Sequence, residues 1–323
     1  MLITEENIRY ILLAYSVAEA DQFNSAGGEN LPISGLYNWA RIFSGARAFP
    51  RTQKELEPFN VIHCNLTAFN IHVMNKILPW IDHSYQKLVM NVDYAIELWA
   101  ANFPAPQTFL KTLDKADHVF AVEPVMSKLL GHLLHREVGC IPHPSNTKAI
   151  SQMQAAVRRK AIGFSVHGYD QNFLMPFYAA QMSAPQDEYV YSAFGKFQNS
   201  PYLNLCFDEL AINQPFEPFI NYLAQFYAVF ESYALHSYGR TTVEAAALGV
   251  PVVGADCVHA QNVCFRELAH PPNDPVAAAS QMRRLLQDKE FYTHMARVGI
   301  ERSHHFSFTE SALRMLSFLN SRG

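Results

Sequence analysis

From residue 58 onward the chain alternates short β-rich apolar runs with stretches of helical periodicity, and this alternation restricts the fold more than any other feature. Residues 59–63, 87–93, 118–122 and 137–141 read as strands, and 69–81, 103–113 and 124–134 as the helices between them. Ile141-Pro-His-Pro144 is a stiff segment suited to a boundary, after which the alternation restarts. Strands are predicted over 159–166, 188–193 and 228–232, and helices over 172–182 and 215–224. Such a pattern predicts parallel sheets covered on both faces, with ligands outside the carboxyl ends of the strands. Asn65, Asp93 and Glu123 each lie just past a predicted strand, and Glu123, before Pro124, reads as a cap of the next helix. Ahead of this region, 5–23 has near-helical apolar spacing and is predicted as a helix. Residues 24–35 form a Gly/Pro/Asn-rich loop that either contacts substrate or merely connects. The chain closes with amphipathic helices over 275–287, 289–300 and 308–319.

A length of 323 residues, 49% hydrophobic and 17% charged, suits two globular domains and excludes a disordered scaffold. The net charge of −4 lacks the basic excess of a protein that coats nucleic acid non-specifically. Five scattered cysteines, Cys64, Cys140, Cys206, Cys257 and Cys264, fit reduced thiols and a cytoplasmic setting. The opening residues are acidic ahead of an apolar stretch interrupted by Ser16 and Glu19, so neither a secretory signal nor a membrane span is expected. Cys257, His259 and Cys264 lack a fourth ligand at ribbon spacing, so no metal site is expected and packing thiols are the reading there.

The clearest unit is 239–249, GRTTVEAAALG, with a flexible start, a helix-forming interior and a glycine stop, running into the apolar Val250-Pro-Val-Val-Gly254. A glycine entry into a helix leaves unpaired N–H groups at the positive end of the dipole, which favours an anion such as a diphosphate. Arg240, Thr241 and Thr242 add phosphate-matching donors, and Glu244, one turn on, is placed to accept hydrogen bonds from ribose hydroxyls. Ordinary helix capping with a surface glutamate is the competing reading of the same residues.

The run Tyr238–Gly254, followed by residues 275–299 with Arg284-Leu-Leu-Gln-Asp288, resembles the C-terminal domain of GT-B glycosyltransferases. The likeness is to the large retaining group that includes sucrose synthase. Lys115-Ala-Asp-His-Val-Phe-Ala-Val-Glu123 and Ile141-Pro-His-Pro144 resemble that group's last N-domain strand and interdomain link. The resemblance implies two Rossmann-like α/β domains facing a cleft, with a C-terminal helix returning to the first. It assigns 1–145 to an acceptor-binding domain, 146–305 to a nucleotide-sugar-binding domain and 306–323 to the returning helix. It also implies a metal-independent sugar transfer needing no cofactor, with a UDP-sugar as the expected donor.

The group's paired glutamates map onto His236 and Glu244, so the first is replaced by histidine, and Ser237 and Gly239 fall in the same donor-binding stretch. The cations the group carries after its first C-domain strand are absent, and Lys196 with Arg240 is the expected substitute, because a departing diphosphate needs positive charge. Asp93 is the expected base for the acceptor hydroxyl, or else a cap of the following helix; His63 ranks second, with a satisfied core or boundary histidine as its competing reading, and His236 is placed beside the transferred sugar. The basic run 41–54, with Arg41, Arg47 and Arg51 interleaved with Phe43 and Phe49, is the candidate acceptor grip, or else a solvated face. The acceptor is expected to be a glycan or a hydroxymethylated DNA base. A non-catalytic nucleotide-sugar-binding protein and a sugar-nucleotide isomerase of the same fold are the alternatives.

Overall fold

The computed structural model describes residues 2–14, 16, 35–68, 70–98, 106–155, 157–167, 173–184, 186–196 and 201–321. Its contacts divide the chain into two compact units. The first comprises Met1–Pro144, His236–Tyr238 and Phe308–Gly323, and the second Ser145–Leu235 and Gly239–Ser307. No helix among the described residues is long and apolar enough to cross a membrane.

The first unit is built on β1 (Tyr10–Leu13), β2 (Ala46–Ala48), β3 (Val61–Asn65), β4 (Lys87–Val92), β5 (His118–Ala121) and β6 (Gly139–Cys140). They pair in parallel in the order β2-β1-β3-β4-β5-β6. Successive side chains of a strand point to opposite faces, and here both faces are buried. Ile11 and Leu13, Ile62 and Cys64, and Leu88, Met90 and Val92 enter one apolar cluster under the helices Ile71–Ile77, Pro106–Leu113 and Pro124–Leu134. Tyr10, Leu12, Val61 and Val89 enter the other. That second face is covered by Trp39 and Ala40 of the helix Asn38–Ile42 and by Ala312, Met315 and Leu319 of the C-terminal helix Phe308–Asn320. The last helix therefore belongs to the first unit, as the resemblance implied.

The helix expected over 5–23 is not what forms at its centre: Tyr10–Leu13 is a strand, paired on both sides. Four consecutive apolar residues satisfy a strand buried on both faces as well as they satisfy a helix, and pairing with β2 and β3 decides between them. Residues 15, 17–34 and 69 lie outside the described residues, and with them most of the loop expected at 24–35.

The second unit holds β7 (Ala161–His167), β8 (Val190–Lys196), β9 (Glu209–Ile212), β10 (Ala228–Glu231), β11 (Val252–Ala255) and β12 (Ala269–His270), all parallel in the order β12-β11-β10-β7-β8-β9. β9 and β12 escape the sequence pattern because they are short edge strands. Strand order reverses between β7 and β10, where Glu231 lies opposite Ser165, and in the first unit between β1 and β3, where His63 lies opposite Leu12. In open parallel sheets, ligands bind outside the carboxyl ends of the strands at such switch points.

Candidate functional site

In the second unit β10 ends at the switch point with Glu231, whose Oε1 accepts from Tyr233 N at 3.2 Å, while Ser232 Oγ donates to Ser165 O on β7. The unit resumes at Gly239, which has φ 80° and ψ 54° and leads into the helix Arg240–Ala247. A side chain there is excluded twice over. The left-handed backbone disfavours one, and a Cβ would stand 2.4 Å from Val258 Cγ1 and 3.1 Å from Ala260 Cβ. The helix stops as the sequence predicted. Gly249, with φ 69°, donates its N–H to Ala246 O at 2.9 Å and Val250 donates to Ala245 O at 2.8 Å, the paired bonds of a Schellman stop.

Of the residues expected to bind a donor, Gly239, Arg240, Thr241, Thr242 and Glu244 are brought together on this one helical turn and its entry. Thr241, Thr242 and Glu244 are buried, so the surface glutamate of the capping reading is not what forms. The Glu244 carboxylate is 2% exposed and sits 3.7 Å from Nε of Arg240, whose side chain is 44% exposed. A buried carboxylate is tolerated when it is paired, and the exposed guanidinium supplies that pairing from the helix's outer face. Lys196 closes β8, and its side chain lies outside the described residues.

His236, Ser237 and Tyr238 cluster with the first unit. His236 is held by Glu97 of the short turn Ile96–Leu98: Nδ1 is 2.6 Å from Oε1, and the backbone N–H donates to both carboxylate oxygens at 3.2 and 3.3 Å. Ser237 is half-buried beside it. Tyr238 donates its hydroxyl to His143 O at 2.8 Å and sets its ring edge-on to the His143 imidazole.

Asp93 follows β4 directly. Its Oδ2 lies 3.0 Å from Nε2 of His143, a side chain only 3% exposed, while Asp93 itself is 40% exposed. Trp39 Nε1 donates to His143 Nδ1 at 3.3 Å, so the imidazole carries its proton on Nε2 and donates it to Asp93. Asp93 borders a cavity of about 430 Å³ together with Asn65, Thr67, Asn70, His72 and Tyr94. Sequence reasoning missed His143 and Glu97 as partners. The signal for His143 was its place between Pro142 and Pro144, and Glu97 gave none.

His63 takes the core reading rather than that of a strand-end base. It lies in mid-β3, fully buried, with Nδ1 bonded to the Tyr10 hydroxyl and Nε2 2.8 Å from Asn91 Oδ1, and rings of Trp39 and Phe120 close around it. Burial pushes its imidazole down to about 3, whereas in the unfolded chain it titrates near 6.5. The folded value is depressed, so the stability this group contributes is full above about pH 6.5. It is lost as pH falls towards 3, at up to about 1.4 kcal/mol per pH unit. His118 and His270, also lowered by burial, act in the same direction. The melting temperature is therefore expected to fall as pH drops from 6.5 to 4, and to fall less steeply in His63→Gln. Equal slopes in the two proteins would remove His63 from the account.

The arginine grip also dissolves. Arg47 is buried on β2 with its guanidinium 3.6 Å from the Tyr37 ring centroid, and Arg41 is half-buried on the helix Asn38–Ile42. Only Arg51 of the three is exposed. Charge in a sequence does not reveal a cation stacked into a core. Glu123 caps the helix Pro124–Leu134 as expected, accepting from Val125 N at 2.6 Å and from Met126 N. Among the described residues no three His, Cys, Asp or Glu side chains gather to hold a metal.

No family model matches the sequence, and no curated protein does. Solved structures do. HepE of Anabaena, in complex with UDP and glucose, aligns with a TM-score of 0.70 at 12% identity over 98% of this chain and 100% of that one. Sucrose-phosphate synthase of Thermosynechococcus elongatus aligns at 0.62 and 18% identity over 95% and 97%. The pneumococcal O-GlcNAc transferase GtfA, in complex with UDP and GlcNAc, aligns at 0.63 and 12% identity over 83% and 58%. These are GT-B structures, and the chain has the GT-B fold.

Proposed function

We propose, on the premise of the GT-B fold, that this chain is a glycosyltransferase that moves a sugar from a UDP-sugar to a hydroxyl acceptor. The observation that carries the reading is the entry Gly239 to Glu244. There a glycine-only turn, aligned helix N–H groups, an exposed arginine and a buried carboxylate lie within one helical turn. The first N–H groups of the helix, at residues 240 and 241, and the Arg240 guanidinium suit a diphosphate, and Glu244 suits the paired hydroxyls of a ribose. UDP in the HepE and GtfA structures makes uridine the first base to test.

As the bond between sugar and diphosphate breaks, negative charge grows on the leaving phosphate. Arg240 and the helix N-terminus meet that charge without requiring a metal. Asp93, 40% exposed and oriented by the hydrogen bond from His143, takes the proton of the attacking hydroxyl. His236, anchored by Glu97, is assigned to the transferred sugar.

A thermal-shift series with UDP, GDP, ADP, CMP and dTDP and their sugar conjugates tests the reading. A ligand that binds only the folded state stabilises it by about 2.7 kcal/mol at one hundred times its Kd. UDP and one UDP-sugar are expected to raise the melting temperature, and the other nucleotides to leave it unchanged. A response to none of them would overturn the donor assignment. Release of UDP on adding an acceptor separates a transferase from a binding protein, and sugar conversion without acceptor would indicate an isomerase.

A further inference from the structure

Two carboxylates leave the first sheet on one stretch of chain after β4, Asp93 and Glu97, and each is paired with a histidine, at 3.0 Å to His143 and 2.6 Å to His236. The two pairs have opposite polarity. In the first the imidazole is the buried partner, its Nδ1 occupied by Trp39, and the carboxylate faces outward. In the second both side chains reach solvent about equally, His236 at 34% and Glu97 at 35%, and it is the carboxylate that is turned onto its partner. Glu97 Oε1 lies 2.6 Å from His236 Nδ1, and both carboxylate oxygens accept from the His236 backbone N–H at 3.2 and 3.3 Å.

An ionised carboxylate only accepts, so the proton of the 2.6 Å contact sits on His236 Nδ1. Which ring nitrogen is protonated is set by the hydrogen bond that the other one makes, and in the neutral imidazole Nε2 is left as an acceptor. Among the described residues none bonds Nε2. The ring is also held in place. Tyr238, two residues on, donates its hydroxyl to His143 O at 2.8 Å, so the segment 236–238 is tied to the first unit at both ends. A ring flip that exchanged the nitrogens would break the contact with Oε1, and a backbone shift would break the two bonds from the N–H.

Resting on the glycosyl-transfer reading above, in which His236 meets the transferred sugar, we infer that Glu97 is the positioning residue of that contact. It keeps the proton on Nδ1 and so presents Nε2 as the acceptor for a hydroxyl of the donor's sugar. Glu97 touches no substrate and acts only through the imidazole. The stretch after β4 thus supplies one carboxylate that works directly, Asp93, and one that works through a histidine.

Nitrogen NMR of the histidine-labelled full chain at pH 8 is expected to show His236 protonated at Nδ1 and unprotonated at Nε2, and Glu97→Ala is expected to abolish that preference. Calorimetry with UDP, UDP-glucose and UDP-N-acetylglucosamine is the second test. The UDP-sugar that binds more tightly is expected to bind about tenfold more weakly to Glu97→Ala, with UDP itself unchanged to within about twofold. A merely structural role would disturb the helix entry at Gly239 and weaken UDP as much as its sugar conjugate. His236→Asn covers the case in which the first variant misfolds. Its amide keeps a donor for Glu97 and has no atom where Nε2 stood, so it is expected to lose the same affinity, and the double variant to lose no more. A proton on Nε2 in the parent, equal losses for UDP and the UDP-sugar, or undiminished affinity for the UDP-sugar in folded variants would overturn the inference. Failure of UDP to bind any of these proteins removes the donor reading and with it the sugar role of Nε2. UDP binding with Nε2 protonated leaves the donor reading standing and removes the role given to Glu97.

Discussion

Glu244→Gln is expected to weaken UDP binding about 10- to 100-fold while leaving the fold intact. Hydrogen bonds to a charged group contribute about 1.5–3 kcal/mol, and a glutamine keeps the shape of the side chain but only one of its two accepting oxygens. The reason the fold should survive is the exposure of Arg240. Removing one partner of a fully buried pair strands a charge at a cost of about 3–5 kcal/mol, but a guanidinium 44% exposed is solvated when its carboxylate is lost. Isothermal calorimetry with UDP and a circular-dichroism melt read the two effects independently. Unchanged affinity would mean that Glu244 only braces the helix start, and a collapse of the melt would mean that its burial is structural first.

Asp93→Asn is expected to lower kcat about 10²- to 10⁴-fold, the usual contribution of a positioned general base, with UDP affinity unaltered. Asparagine still accepts the hydrogen bond from His143 Nε2, so the loop after β4 and the 3.0 Å contact have no reason to move. What is lost is the ability to take a proton. Single-turnover transfer to an acceptor identified by UDP release is the proper measurement, because it isolates the chemical step from product release. A variant that turns over at the parent rate would transfer the base role elsewhere, and His236 with Glu97 is the next pair to examine.

Which parts of this protein were legible in its residues follows from how local their determinants are. The turn Gly239 to Glu244 and the stop at Gly249 are written in consecutive positions, and both form as expected. β4 announces itself because both of its faces are buried and all six of its residues lean apolar except Lys87 and Asn91. β1 misleads because Tyr-Ile-Leu-Leu is compatible with either period, and only pairing with β2 and β3, 35 and 51 residues away, resolves it. The partners of the site residues are more remote still. Asp93 meets His143 across 50 positions and His236 meets Glu97 across 139. The catalytic reading of His63 and the acceptor reading of Arg47 fail for one shared reason. Both are held in the core by partners that no spacing rule identifies.

The first unit is assembled from three separate pieces of chain, and that has a consequence for how the protein is made. A nascent polypeptide that has emerged as far as Pro144 possesses all six strands of the first sheet but not the helix Phe308–Asn320 that covers Trp39 and Tyr10. The second unit needs only residues 145–307, apart from a three-residue excursion, and so can close while its predecessor waits. During synthesis the domain begun first is thus finished second, and it carries an open apolar face for the time taken to translate more than 160 residues. A chaperone that shields exposed sheet faces would find its target there, and release of an N-terminal fragment by premature termination would yield a product prone to aggregate.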